Sequence, residues 1–274
     1  MGRNTNAQRA LANLFSVDAW IIEVDQQKRS SLCVDVTFAV AKMGGDGLAP
    51  VSFTLRLRRA EIVVLMPLMG EFSVDPATVA RLLPGTQKVE RSYKIKKDGT
   101  AEAGLSIGAM GVSGKLSADG KISAEESLVI SSEVVLRDIL SKHGKSHDGH
   151  YSWELVPMTK KVLEGPAWDA AQEPRFAVKD KRSDERKGID ARTNNHPVIR
   201  VQVRCRREDL DIEDIRLRDE ERQSFLSRRP NQDKRLAAAE SYIRDALIQE
   251  GLMPVDLSGE YVELLLADCM VGQG

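Results

Sequence analysis

Cysteine, histidine and aromatic residues are all scarce in this sequence, and each scarcity removes a class of protein. Cys33, Cys205 and Cys269 are the only cysteines. They are odd in number, far apart and without a C-x-x-C pair, which speaks against a disulfide framework and against a cysteine zinc site. Cys33 and Cys205 fall within strand patterns and read as small core residues. No run approaches 18 uncharged apolar residues, so no transmembrane helix is expected. The opening "MGRNTNAQRALANLF" lacks the apolar core of a signal peptide, and the chain is therefore read as intracellular and cytoplasmic. Asn6 stands where a myristoylation signal wants Ser or Thr, so Gly2 is not read as an anchor.

An excess of charge is missing too. Forty Lys and Arg against 41 Asp and Glu leave a formal charge of -1, so no global field draws the protein to nucleic acid or anionic lipid. Catalytic signatures are absent as well: there is no G-x-S-x-G, no H-E-x-x-H and no cysteine-histidine pattern. Asp18, Glu23, Asp25 and Lys28 carry nuclease-like side chains, but without a Glu-x-Lys arrangement. No catalytic residue and no cofactor is assigned, and the chain is not read as an enzyme.

What the sequence has is alternation. Leu32, Val34, Val36, Phe38 and Val40 alternate with Cys33, Asp35, Thr37 and Ala39, the period of a strand with one buried face. Val51, Phe53, Leu55 and Leu57 repeat the pattern, and "AWIIEVD" (19–25) precedes it, so a meander of three strands is expected. Further strands are expected at 151–158, over "VIRVQVRCRRE", at "LDIEDIRLRDEE" and at 260–267. "VDPATVARLLPG" has an N-cap at Asp75 and Pro76 after it, predicting a short helix. A longer amphipathic helix, 232–250, carries Leu236, Ala239, Ile243, Ala246 and Leu247 on one side and stops at Gly251 and Pro254. Residues 123–143 fit helix and strand about equally. The expected fold is mainly β, an antiparallel β-sandwich decorated by short helices and one C-terminal amphipathic helix. One unit over 1–274 is expected, with a division into 1–143 and 151–274 as the alternative.

Four segments carry the functional expectations. Arg200, Arg204, Arg206 and Arg207 put a basic edge on one strand, within a stretch (175–235) that holds 18 Lys and Arg against 13 Asp and Glu. Such a face suits an anionic partner, whereas the neighbouring "EDLDIED" could instead pair with it across the sheet. Residues 179–195 hold one large apolar residue, Ile189, and read as a mobile loop. "SKHGKSHDGHYSW" offers His143, His147, His150 and Asp148 as metal ligands of the right type, but Gly144 and Gly149 break the helix that would align them. No metal is expected there. Finally, residues 98–123 are built from Gly, Ala and Ser, with Asp-Gly at 98–99 and 119–120, signals for narrow hairpins. Ala101, Ala103, Leu105, Ile107 and Ala109 alternate with small or polar residues over a length that spans a bilayer as β-strand. Against that, alanine dominates, no aromatic girdle flanks the segment, and Lys115 and Asp119 interrupt it.

The first functional expectation is a non-catalytic binding or scaffold protein using the face 200–207 and the loop 179–195. Its partner would be a protein first, nucleic acid second, with a membrane ranked below both and self-association open. The alternatives are a membrane-inserting pore-type protein using hairpins 98–123, and a metal-dependent hydrolase using the histidine loop 143–150.

Overall fold

Strand alternation becomes burial from Leu32 to Phe38 and from Val51 to Leu57, whereas Val40, the last apolar position of the first run, is exposed. In the computed structural model β2 (Phe15–Asp25) and β3 (Arg29–Phe38) pair antiparallel over nearly their whole length, and Val34, Val36 and Phe38 point into the core. The structure describes residues 6–25, 29–45, 49–67, 71–81, 87–92, 129–135, 138–193, 197–218, 232–252, 259 and 261–271. Those residues fall into two units, one of 1–84 with 137–274 and one of 85–136.

The larger unit contains three antiparallel sheets. The first orders β1 (Asn6–Arg9), β16 (Glu263–Val271), β14 (Ile199–Arg206), β6 (Ala60–Leu65), β11 (Tyr151–Pro157) and β10 (Ile139–Lys145). The second surrounds β3 with β2 on one edge, β13 (Phe176–Asp180) and the two-residue β12 (Gly165–Pro166) on the other, and β7 (Phe72–Val74) beyond β13. The third orders β15 (Leu210–Leu217), β5 (Val51–Leu57) and β4 (Ala41–Gly44). One continuous apolar core runs through all three, and Phe53, Leu55, Val201 and Val203 are buried in it. The mainly β, antiparallel fold read from the sequence is the fold observed, and no helix among the described residues is long and apolar enough to cross a membrane.

Two features of the expected organisation are corrected. The meander of three is not formed: β2 and β3 pair, but both edges of β3 are taken by β2, β12 and β13, so β5 goes to another sheet with β4 and β15. The β4–β5 connection requires Gly44, whose φ is +67° and where an added Cβ would stand 1.9 Å from the Val51 carbonyl oxygen. A division into 1–143 and 151–274 also fails, because β6 lies between β14 and β11 and so joins both segments in one sheet.

The helices follow their end signals. Asp75 accepts a hydrogen bond from the Ala77 N–H at 3.0 Å and starts a single 3-10 turn, Pro76–Thr78. Helix α2 (Gln232–Gln249) lies on the third sheet through Ala239, Ile243 and Leu247, and Tyr242 meets Phe53 edge to face at 5.7 Å. It ends where Leu252 N–H donates to the Leu247 carbonyl and Gly251 N–H to that of Ile248, with Gly251 at positive φ.

The expected loop 179–195 is largely ordered structure. It begins in β13 and continues into a helix, α1 (Asp184–Thr193). The apolar stripe that would have announced this helix is missing because ion pairs hold it instead. Arg182, nearly buried, reaches Asp180 and Asp190 at 2.9 Å each, and Lys187 reaches Asp180 at 3.3 Å. Burial works to raise the Asp180 pKa, but Arg182 outweighs it and holds the carboxyl below its ordinary value.

The smaller unit contains a separate two-stranded sheet, β8 (Gln87–Ser92) against β9 (Val129–Val135). The segment 123–143, undecided in the sequence, is strand in its described part: β9 and then β10. Residues 98–123 lie outside the described residues.

Candidate functional site

Cross-strand neighbours decide what the arginine strand can do. Odd positions of β14 (Val201, Val203, Cys205) face the core, which sends Arg200, Gln202 and Arg204 to the other face of the first sheet. There Arg200 pairs with Asp268 of β16, an acid only 2% exposed, and Gln202 donates to the same carboxylate at 3.0 Å. That hydrogen-bonded pairing holds the Arg200 guanidinium pKa above its ordinary value. Arg204 donates to Gln202 Oε1 at 2.6 Å and to Glu263 at 2.7 Å, and stands 3.7 Å from Asp148. Arg206 meets Glu208 at 3.4 Å, and Arg207 turns away to Glu240 of α2. Each of the four arginines therefore has an acidic partner.

The three histidines of "SKHGKSHDGHYSW" do not converge. His143 lies in β10, opposite Trp153 of β11, with its ring 5.5 Å from the Trp153 ring and 6.0 Å from that of Tyr151. Its Nε2 is buried without a hydrogen-bond partner among the described residues. Burial, with Lys145 and Arg81 adding to it, lowers the His143 pKa and favours the neutral ring. His147 and Asp148 are exposed in the turn, which Ser146 closes by hydrogen bonds to the His150 backbone at 2.9 and 3.1 Å. Among the described residues no group of three or more His, Cys, Asp or Glu could hold a metal ion.

The turn and the arginine strand nonetheless share a cavity of about 370 Å³, whose walls include Arg59, Glu61, Lys142, His147, Glu154 and Arg204. Chain order does not announce this meeting, since β6 (Ala60–Leu65), far back in the sequence, stands between β14 and β11 in the sheet. The walls are largely neutralised from within: Arg59 pairs with Glu154 at 3.1 Å, and Arg204 with Glu263. Asp209, also on the wall, has its pKa raised by burial.

Sequence reasoning missed Asp268, the acid that organises Arg200 and Gln202. Its signal was there, a lone carboxylate inside the apolar run "LLLADCM". It also missed Arg175, which is buried with its guanidinium 3.9 Å from the Trp168 ring centre.

In the smaller unit the geometry is that of a bracket. The β8–β9 ladder ends with Ser92 opposite Val129, so the chain leaves and re-enters at adjacent positions around residues 93–128.

The chain matches no protein-family model and no curated protein. Among solved structures it is similar to the NetB toxin of Clostridium perfringens in its membrane-inserted form, at 10% identity over 73% of this chain and 81% of that one. The TM-score is 0.28, and a likeness that loose carries no argument about site or activity.

Proposed function

We propose that this chain is a membrane-inserting, pore-type protein whose inserting element lies between β8 and β9. The observation that carries the reading is the β8–β9 ladder itself. It belongs to a unit of its own, pairs among the described residues with no strand of the three larger sheets, and brackets the alternating Gly/Ala/Ser-rich segment at adjacent chain positions. A two-stranded ribbon alone is marginal in water and gains most from further strands beside it. A closed transmembrane barrel supplies such neighbours on both edges and leaves no backbone group unpaired. The test is electrical. Added to a planar lipid bilayer, the purified chain produces discrete conductance steps; a bilayer that stays silent at micromolar protein overturns the reading.

The binding reading through Arg200, Arg204, Arg206 and Arg207 stands second. In its favour, the Arg200 and Arg206 side chains are 45% and 55% exposed even though paired. Their acidic partners weaken it, since a phosphate or carboxylate must compete with Asp268, Glu263 and Glu208 for the same donors. Changing Arg204 and Arg206 together to Gln would weaken capture of an anionic partner if this face is the site. Unchanged capture would remove the reading.

A further inference from the structure

On the face of the first sheet opposite to Ile62, Trp153 and Val203, one row of charged side chains crosses four strands. Lys142 of β10 stands opposite Glu154 of β11, Glu154 opposite Glu61 of β6, and Glu61 opposite Arg204 of β14. Directly opposed residues share a face, so the four lie side by side in the wall of the 370 Å³ cavity described above. The next row is low. Gly144 stands opposite Ser152, and a Cβ added at Gly144 would meet nothing nearer than the Ser152 Oγ at 3.8 Å. The wall continues into the turn after β10, which Ser146 holds, and into the 3-10 turn Arg207–Asp209 through Asp209.

Most charges of the cavity are engaged with one another. Arg59 meets Glu154 at 3.1 Å and stands 3.9 Å from Asp209, which also accepts from the Arg206 N–H at 3.3 Å. Arg204 donates to Glu263 and Gln202 rather than to Glu61, although it faces Glu61 across the ladder. Lys145 holds its ammonium 3.2 Å from the centre of the Tyr151 ring, and Arg206 meets Glu208. Two charged groups of the wall are left over. Glu61, half-buried, and Lys142, exposed, have no hydrogen-bond or ion-pair partner among the described residues. They are opposite in sign and two strands apart, about 10 Å at the backbone, with Glu154 between them. Glu61 therefore has a second acid as its neighbour on β11, and like charges directly opposed repel. Arg59 answers one of those two acids and leaves the other.

We propose that this cavity binds a small zwitterion, a molecule with a primary amine at one end and a carboxylate or phosphate at the other, seated with the amine on Glu61 and the oxyanion on Lys142. A plain anion would answer Lys142 but leave Glu61 without a partner and stand close to Glu154 and Glu263. A plain cation would answer Glu61 but face Arg59, Arg204 and Lys142. A ligand of both signs pairs both groups at once and leaves the internal pairs as they are. The amine carries N–H groups because an ionised carboxylate only accepts hydrogen bonds and is best matched by a charged donor. A volume of about 370 Å³ lies at the small end of ligand sites, which suits a molecule of this size. A free compound and the headgroup of an ethanolamine lipid present the same two ends to the wall. The site belongs to the larger unit and stands apart from the pore reading.

The experiment is titration calorimetry on the full chain with two zwitterions, glycylglycine and phosphoethanolamine, and three probes of single charge, ethanolamine, acetate and inorganic phosphate. Expected is saturable binding of at least one zwitterion, about tenfold or more tighter than any single-charge probe, since a charge-assisted hydrogen bond is worth at least that factor. Glu61→Gln and Lys142→Gln break no bond within the chain, so both should melt close to the parent. Each should lose discrimination in its own direction. The Glu61→Gln protein should bind the zwitterion no better than the matching anion, and the Lys142→Gln protein no better than ethanolamine, a split that a merely structural role would not produce. Displacement of the bound probe by phosphatidylethanolamine vesicles identifies a lipid headgroup as the source; no displacement identifies a free compound. Silence with both zwitterions overturns the proposal, as does equal affinity for a zwitterion and a single-charge probe, or parent-like affinity in either variant. None of these results bears on the pore reading, whose own test is conductance.

Discussion

The β14–β16 pair of the larger unit and the β8–β9 pair of the smaller one are both antiparallel strands of ordinary length, yet they solve different problems. β14 and β16 sit inside a six-stranded sheet; one face is apolar core, and the other is tied by Arg200, Gln202 and Asp268. Every demand of that pair is met within the chain. Among the described residues β8 and β9 have only each other in their sheet, and their ladder stands on either side of a segment whose sequence alternates. The contrast teaches that alternation alone does not mean a buried core. It means two different surroundings, which in the larger unit are the apolar core on one face and paired polar side chains on the other.

Breaking the larger unit should be costly. Phe38→Ala removes a ring buried in the shared core and should destabilise the protein by about 3–5 kcal/mol, read as a shift in the urea midpoint; a change under about 1 kcal/mol would show that the core is not continuous there. Asp268→Ala should cost about 1–3 kcal/mol, because Gln202 and Arg200 lose the buried acceptor they share. Arg206→Gln tests the same sheet at its exposed end. Its partner Glu208 is itself partly exposed, so the expected change is within about 0.5 kcal/mol. Similar losses from the last two variants would mean that burial of Asp268 is not what distinguishes them.

Acid acts on the larger unit more gently. The folded-state pKa of His143 is lowered, so the unfolded chain takes up this proton at a higher pH than the folded one. Its contribution to stability is complete above the ordinary histidine value of about 6.5 and is lost as pH falls below that toward the folded value. Replacing His143 by Phe should flatten this part of the stability profile between neutral pH and about pH 5. An unchanged slope would place the titration elsewhere.

Much of the larger unit was legible because burial follows a period of two: Val34, Val36, Phe38, Phe53, Leu55, Val201 and Val203 were all readable as core. Which strands would pair was not, since β3 and β5 carry the same alternation and nothing local says that β13 will take the free edge of β3. Helix α1 escaped because its stabilising contacts are Arg182 with Asp180 and Asp190, which leave no apolar period. The basic edge at 200–207 was visible, and so was Glu208, the partner of Arg206, but the partners of Arg200, Arg204 and Arg207 lie on β16, the turn before β11 and α2, all distant in sequence. The bracketed segment was the reverse case. Its pattern was fully visible, and the structure adds that β8 and β9 pair on either side of it.

The central claim, that the bracketed segment and not the larger unit acts on membranes, is met most directly by replacing residues 93–128 with a short Gly-Asn turn and comparing vesicle leakage with that of the full chain. The account predicts that the shortened protein melts within a degree or two of the parent and releases no dye at concentrations where the parent empties the vesicles. Leakage by the shortened protein at the parent's rate would contradict it, as would a parent that leaves the vesicles intact.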